Sequence, residues 1–158
     1  MNDSQETVVC AIHSPMAGKV CPLTEVPDPA FAKKMIGDGI AIEPTGDAVY
    51  APVDGTVLSV FETEHAIVFE NTEHIRLLLH IGIGSMRLQG EGFTAHVKNG
   101  QQVKAGDRLL SLDLDYIRQK ADALVSPIVM TESYDSCHIR LTADKEVEVG
   151  DVLFEILH

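Results

Sequence analysis

Two histidines stand where a strand hairpin would bring them face to face. Residues 65–70 (HAIVFE) and 75–80 (IRLLLH) read as strands, separated by the polar residues Asn71, Thr72, Glu73 and His74. A four-residue loop pairs Glu70 with Ile75 and Phe69 with Arg76, and the constant sum carries His65 directly opposite His80. Opposed residues project from one face of a sheet, with Cβ atoms roughly 4.5–5.5 Å apart. Imidazoles that close can share a metal ion, or one ring can carry a phosphoryl group that the other stabilises. Neutral imidazole is a competent nucleophile near pH 7, because its ordinary pKa is about 6.5. Attack on phosphorus gives a phosphohistidine that can be passed to a second acceptor.

The residues around the pair fit that chemistry. His80 ends an apolar strand and runs into Ile81-Gly82-Ile83-Gly84-Ser85. Backbone N–H groups at Gly82 and Gly84 are the expected donors to phosphoryl oxygens, beside the opposing ring of His65. Thr63, two residues before His65, is expected to hold one nitrogen of His80 and so select its reactive tautomer. Ala30, Phe31, Met35, Ile36, Phe61 and Leu78 form an apolar group about the site. They read as a face on which another protein docks, with Phe31 a docking candidate and Leu78 the most core-like. A single histidine on an apolar strand is ordinarily a hydrogen-bonded core residue; two in cross-strand register shift the balance towards function. His13, His74, His96, His138 and His158 lack such a partner and read as surface residues.

The elements that must position these side chains repeat with period two. Short runs of Val, Ile and Leu alternate with Gly, Pro, Asp and Asn turns about every ten residues, the pattern of an all-β sandwich or barrel. Strands are predicted near residues 7–12, 17–22, 39–43, 48–50, 55–61, 65–70, 75–80, 93–95, 109–112, 127–130, 139–141 and 152–157. Two helical turns are predicted. One covers Pro29 to Ile36, with Pro29 in its first turn and Gly37 at its end. The other covers Asp115 to Lys120, with Asp113 or Asp115 as its cap. PMAGKV at 15–20 resembles PVDGTV at 52–57, and VKAGDRLL at 103–110 resembles VEVGDVLF at 147–154. Each glycine is expected to supply positive φ at a tight turn. The repeats suggest two intertwined half-units related by pseudo-symmetry. No linker divides the chain, so residues 1–158 read as one antiparallel domain with a core over about 10–157 and a flexible stretch at 1–6.

Composition narrows the function classes. The 158 residues suffice for a real core. No apolar run approaches the ~20 residues of a membrane span, and MNDSQETVV lacks the features of a signal peptide; a cytoplasmic protein is expected. Cys10, Cys21 and Cys137 form neither a disulfide framework nor a thiolate zinc site. With 24 acidic against 12 basic residues, the net charge is −12. Such a surface repels nucleic acid and anionic lipid, and speeds encounter with a basic protein partner.

At GDGIAIEPTGD (37–47), APVDGTV (51–57), FETEHA (61–66), LLLHIGI (77–83), GEGF (90–93) and GQQVKAGDRLLSLDL (100–114), the chain resembles the glucose-type IIA component of the bacterial phosphoenolpyruvate:sugar phosphotransferase system. The resemblance spans about residues 10–157. It implies an antiparallel β-sandwich of duplicated-hybrid topology. It implies a phosphotransferase component in which His80 is phosphorylated at Nε2, His65 stabilises the phosphoryl group and Thr63 supports the network. The implied donor is the phosphorylated carrier protein HPr. The implied acceptor is a cysteine on the IIB domain of a membrane sugar permease, with which the chain would associate peripherally. No cofactor is required. In some relatives the unphosphorylated form also binds and regulates non-transport proteins, with zinc held by the histidine pair, so a regulatory binding module is the alternative reading. The chain departs from the family after the active histidine. Where relatives carry Asp-Thr and a small apolar residue, it has Gly84, Ser85 and Met86. A carboxylate able to pair with an arginine of the donor or acceptor is therefore missing. The amphipathic amino-terminal extension of some relatives is also missing, so anchoring by that route is not expected.

Two further chemistries fit less well. A zinc hydrolase usually needs three protein ligands, whereas His65 and His80 supply two. A lipoyl or biotinyl carrier needs an exposed hairpin lysine, which the PVDGTV turn lacks.

Overall fold

Alternating side chains become antiparallel strands throughout. The computed structural model describes residues 6–132, 137–143 and 145–158. Its strands are β1 (Val8–His13), β2 (Gly18–Cys21), β3 (Asp38–Pro44), β4 (Ala48–Tyr50), β5 (Gly55–Val60), β6 (Ala66–Asn71), β7 (Arg76–His80), β8 (Phe93–Ala95), β9 (Gln102–Val103), β10 (Arg108–Leu112), β11 (Ser126–Glu132), β12 (His138–Leu141), β13 (Glu146–Val147) and β14 (Val152–Leu157). The twelve predicted strands are all present. The two extra ones, β9 and β13, are two residues long, too short for alternation to register. The expected flexible stretch at 1–6 lies outside the described residues except for Glu6, whose carboxylate lies 3.3 Å from His138 Nε2.

Pseudo-symmetry organises the sheets. One sheet runs β13-β2-β3-β11-β7-β6-β5-β9, and two smaller ones run β1-β14-β12 and β4-β10-β8. The order reads alike from either end: β2 answers β5, β3 answers β6, and β11 pairs with β7 at the centre. The repeated turns sit at equivalent places, with Gly18 paired to Val147 and Gly55 to Val103. Only half of these glycines act as predicted. Gly106 and Gly150 do take positive φ, 94° and 92°. Gly18 and Gly55 instead give room, since a Cβ on either would collide with the carbonyl of Glu43 or Glu70 across the sheet.

The main core joins side chains from Ile12 to Ile156, with Phe69, Leu77, Leu79, Leu109 and Phe154 fully buried. A second cluster of Leu23, Val26, Phe31, Ala41, Ile83, Val125 and Val129 is separate, and half-buried Leu78 and Ile36 pack against it. Phe31 belongs to helix α1 (Pro29–Ala32), which is capped by Asp28 and shorter than predicted. Lys34 turns left-handed, at φ 56°, before Gly37 is reached. Helix α2 (Leu114–Lys120) begins where Asp113 accepts the Tyr116 N–H at 3.1 Å. Among the described residues, no helix is long and apolar enough to cross a membrane.

Candidate functional site

The hairpin β6–β7 carries the pair, but not in the predicted register. Ala66, not His65, stands opposite His80, and Phe69 stands opposite Leu77. The cause is Asn71. Its backbone N–H donates to the Ile75 carbonyl at 2.9 Å, while its side-chain oxygen accepts from the N–H groups of Glu73 and Ile75. Asn71 therefore ends the strand rather than starting the loop. Three residues, 72–74, lie between the hydrogen-bonded Asn71 and Ile75, with His74 left-handed at φ 63°.

A one-residue slip reverses every face of a strand, yet the rings still meet. Their centroids lie 4.8 Å apart, edge to face. His65 lies just outside β6, after Glu64 at φ 57°. The His65 carbonyl still accepts the Ile81 N–H at 2.7 Å, so its backbone stays beside the end of β7 while its ring packs on His80.

Each ring has a second neighbour and a fixed nitrogen. Phe31 tilts over His80 with centroids 5.2 Å apart, and Phe61 meets His65 edge-on at 5.5 Å. His80 Nδ1 lies 2.8 Å from the Gly82 carbonyl oxygen. A carbonyl only accepts, so Nδ1 carries the hydrogen and Nε2 of the neutral ring keeps its lone pair. His65 Nδ1 lies 2.5 Å from Thr63 Oγ1. Thr63 thus holds His65, not His80 as predicted. The tautomer of His80 is set by its own loop.

That loop is firmly held. The Gly82 N–H donates to Ser126 Oγ at 3.0 Å, and Ser126 Oγ donates to the Leu124 carbonyl at 2.8 Å. Ser85 Oγ donates to the Ile81 carbonyl at 2.6 Å. Both serines are fully buried. The expected phosphate donor at Gly82 is therefore already engaged with Ser126, and it is the carbonyl of Gly82 that serves His80. Gly84 takes φ 72°, and a Cβ there would run into the Asp122 carboxylate. Asp122 is also paired with Arg87 at 2.7 Å. A carboxylate thus does stand beside position 84, delivered from residue 122.

The docking group divides on exposure. Met35 is 73% exposed and Phe61 39%, whereas Phe31 is 2% exposed. Phe31 is a core residue and a wall for His80, which corrects its assignment as a docking side chain. Ala30, Ile36 and Leu78 are half-buried. Sequence reasoning missed Ser126, Ser85, Asp28 and Glu64. The first two act through backbone contacts 44 and 4 residues away. Only Asp28, just before Pro29, carried a signal, that of a helix cap.

Burial sets the electrostatics. His65 is 2% exposed, and burial, with the nearby charge of His80, lowers its pKa to about 4. Burial also lowers that of His80, while the Gly82 carbonyl and the Asp28 carboxylate act to raise it. Both rings are therefore neutral near pH 7. A histidine whose pKa falls on folding binds fewer protons than the unfolded chain between its two pKa values. Stability gained from burying neutral His65 is whole above about pH 6.5 and is lost as pH falls towards 4. The loss is on the order of 2–3 kcal/mol. Urea midpoints measured from pH 7 to pH 4 should fall more steeply for the wild type than for His65→Gln; parallel slopes would contradict the assignment.

Among the described residues, no three of His, Cys, Asp and Glu are grouped to hold a metal ion. The pair itself offers two ligands. A cleft of about 540 Å³ lies at the far end of β6, lined by Glu70, Asn71, His74 and Lys104, away from the pair.

Residues 10–136 match the family described as phosphoenolpyruvate-dependent sugar phosphotransferase system, EIIA 1. The fold is similar to that of glucose permease IIA from Mycoplasma capricolum, with a TM-score of 0.88 and 35% sequence identity. That match covers 93% of this chain and 94% of the other.

Proposed function

This chain belongs to the EIIA 1 family of the phosphoenolpyruvate-dependent sugar phosphotransferase system, and from that premise we propose that it carries a phosphoryl group on Nε2 of His80. The observation that carries this reading is the Nδ1 contact of His80 with the Gly82 carbonyl at 2.8 Å. It leaves Nε2 as the nucleophilic nitrogen. Nε2 attacks phosphorus on phospho-HPr, the donor N–P bond breaks, and its electron pair returns to the donor histidine. The ring of His80 becomes cationic as the new N–P bond forms. The Gly82 carbonyl and the Asp28 carboxylate stabilise that charge. A thiolate on the IIB domain of a sugar permease then attacks phosphorus, and Nε2 recovers its lone pair.

His65 serves the phosphoryl oxygens. With the Thr63 hydroxyl donating to Nδ1, the hydrogen of neutral His65 sits on Nε2, available to an oxygen of the group in flight. The depressed pKa of His65 supports a neutral ring in this role. The exposed Met35 and Phe61 supply apolar contact to both protein partners, and the acidic surface favours basic ones. Both partners approach from the cytoplasmic side. No bound cofactor takes part in these steps.

Incubation with phosphoenolpyruvate, enzyme I and HPr tests the reading. One acid-labile phosphate per chain, mapped by phosphorus–nitrogen coupling to Nε2 of His80, is the expected result. A wild-type chain that stays unlabelled with several carriers, or a phosphate on Nδ1, would overturn it.

A further inference from the structure

Among the described residues, the two most exposed large apolar side chains are both methionines, Met35 at 73% and Met86 at 63%. Each stands on main chain tied to His80. Met35 follows α1, whose Phe31 tilts over the His80 ring, and its N–H donates to the Ala30 carbonyl at 3.0 Å. Met86 follows buried Ser85, whose Oγ donates to the Ile81 carbonyl beside the Gly82 contact of His80. Phe61 apart, the other exposed apolar side chains lie elsewhere. Val8, Leu141 and Val152 belong to β1, β12 and β14, and Val149 to the turn before β14. An unbranched thioether adapts to neighbours of different shape. Where one tip of a molecule must meet two different proteins, a side chain of that kind can serve both. The same sulfur is open to oxidation.

We propose that Met35 and Met86 form an oxidation site, at which a peroxide converts both thioethers to sulfoxides and so weakens docking of the phosphoryl donor and acceptor. The sulfur lone pair attacks one peroxide oxygen and the O–O bond breaks. Sulfur gives up two electrons and the peroxide takes them. With hydrogen peroxide, both protons leave with the second oxygen as water. Each side chain then carries a polar sulfoxide in place of an apolar contact. The competing sulfurs are screened. Met16 is fully buried, and Met130 is half-buried in β11 against the main core. Cys10, Cys21 and Cys137 are half-buried thiols. A thiol attacks as its thiolate, and burial pushes Cys10 up to about 11 and also raises Cys21. No atom of His65 or His80 is altered, so formation of the N–P bond is left intact and only the encounter suffers. A methionine sulfoxide reductase returns the thioether, which makes the change reversible.

The effect on docking rests on the transfer role proposed above; the oxidation itself does not, and is read by mass alone. The full chain is treated with graded hydrogen peroxide in the presence of a metal chelator, digested and mapped by mass spectrometry. The first oxygens are expected on Met35 and Met86, ahead of Met16, Met130 and the three cysteines; Met1, outside the described residues, is mapped separately. In phosphorylation by phospho-HPr, kcat/KM should then fall roughly tenfold through lost apolar contact, with kcat at saturating donor little changed. Treatment with a methionine sulfoxide reductase should restore it. The double variant Met35→Leu, Met86→Leu keeps apolar side chains without the sulfur, and after peroxide it should hold the rate of its own untreated sample. Oxygen arriving first on a cysteine or Met130, transfer by the doubly oxidised chain at the untreated rate, or equal loss in the double variant would each overturn the proposal. An untreated chain that takes no phosphate would reject the transfer reading, while the mass map would still decide the oxidation site.

Discussion

His80→Ala is expected to end phosphorylation of the chain outright. Among the described residues, half-buried His80 has its hydrogen fixed on Nδ1 by the Gly82 carbonyl, which leaves the Nε2 lone pair to react. His65 is no substitute. It is 2% exposed, its Nδ1 is engaged by Thr63, and its depressed pKa marks a weak base. On that reading, removing the nucleophile leaves no alternative route, so the loss should exceed the ~10²–10⁴-fold range typical of single supporting groups. The β6–β7 ladder does not depend on the imidazole, and a thermal melt should show the variant folded. A folded His80→Ala protein that still gains acid-labile phosphate would place the acceptor elsewhere.

His65→Ala should slow transfer on the order of 10²–10³-fold, the usual effect of deleting one preorganised donor to a developing oxyanion. Phosphate should still map to His80, because the Gly82 carbonyl fixes that ring independently. His65→Gln retains an N–H donor and should recover part of the rate. Quenched-flow measurement of phosphate passage from phospho-HPr to the IIB domain reads the difference. A rate for His65→Ala within twofold of wild type would remove His65 from the reaction.

The positions of the strands are readable from alternation, because burial of one face imposes period two. The pole of the sheet where the histidines meet was readable too, although by a route that fails in detail. Asn71 has loop composition, but its side chain caps two N–H groups and keeps its own backbone in the ladder. That slip would have sent His65 to the core face. His65 nevertheless packs on His80, with Thr63 against its Nδ1, and nothing in the alternation announces that contact. Thr63 lies against His65 rather than His80, because the residues before β6 leave the ladder and alternation no longer fixes which ring it meets. The engagement of the Gly82 N–H by Ser126 was hidden for a similar reason: the two residues are 44 apart in sequence. Sequence periodicity reports which face a side chain occupies within an element. It is silent where the element breaks, and this site lies at such breaks.

The sheet that holds the histidines finishes on either flank in a strand of just two residues, β9 and β13. Long bare margins invite a visitor to zip on through its main chain, a binding mode that is slow to undo and indifferent to most side-chain detail. Margins this short give no such purchase. On the transfer role proposed above, a partner that must leave quickly would find no main-chain margin here to fuse with.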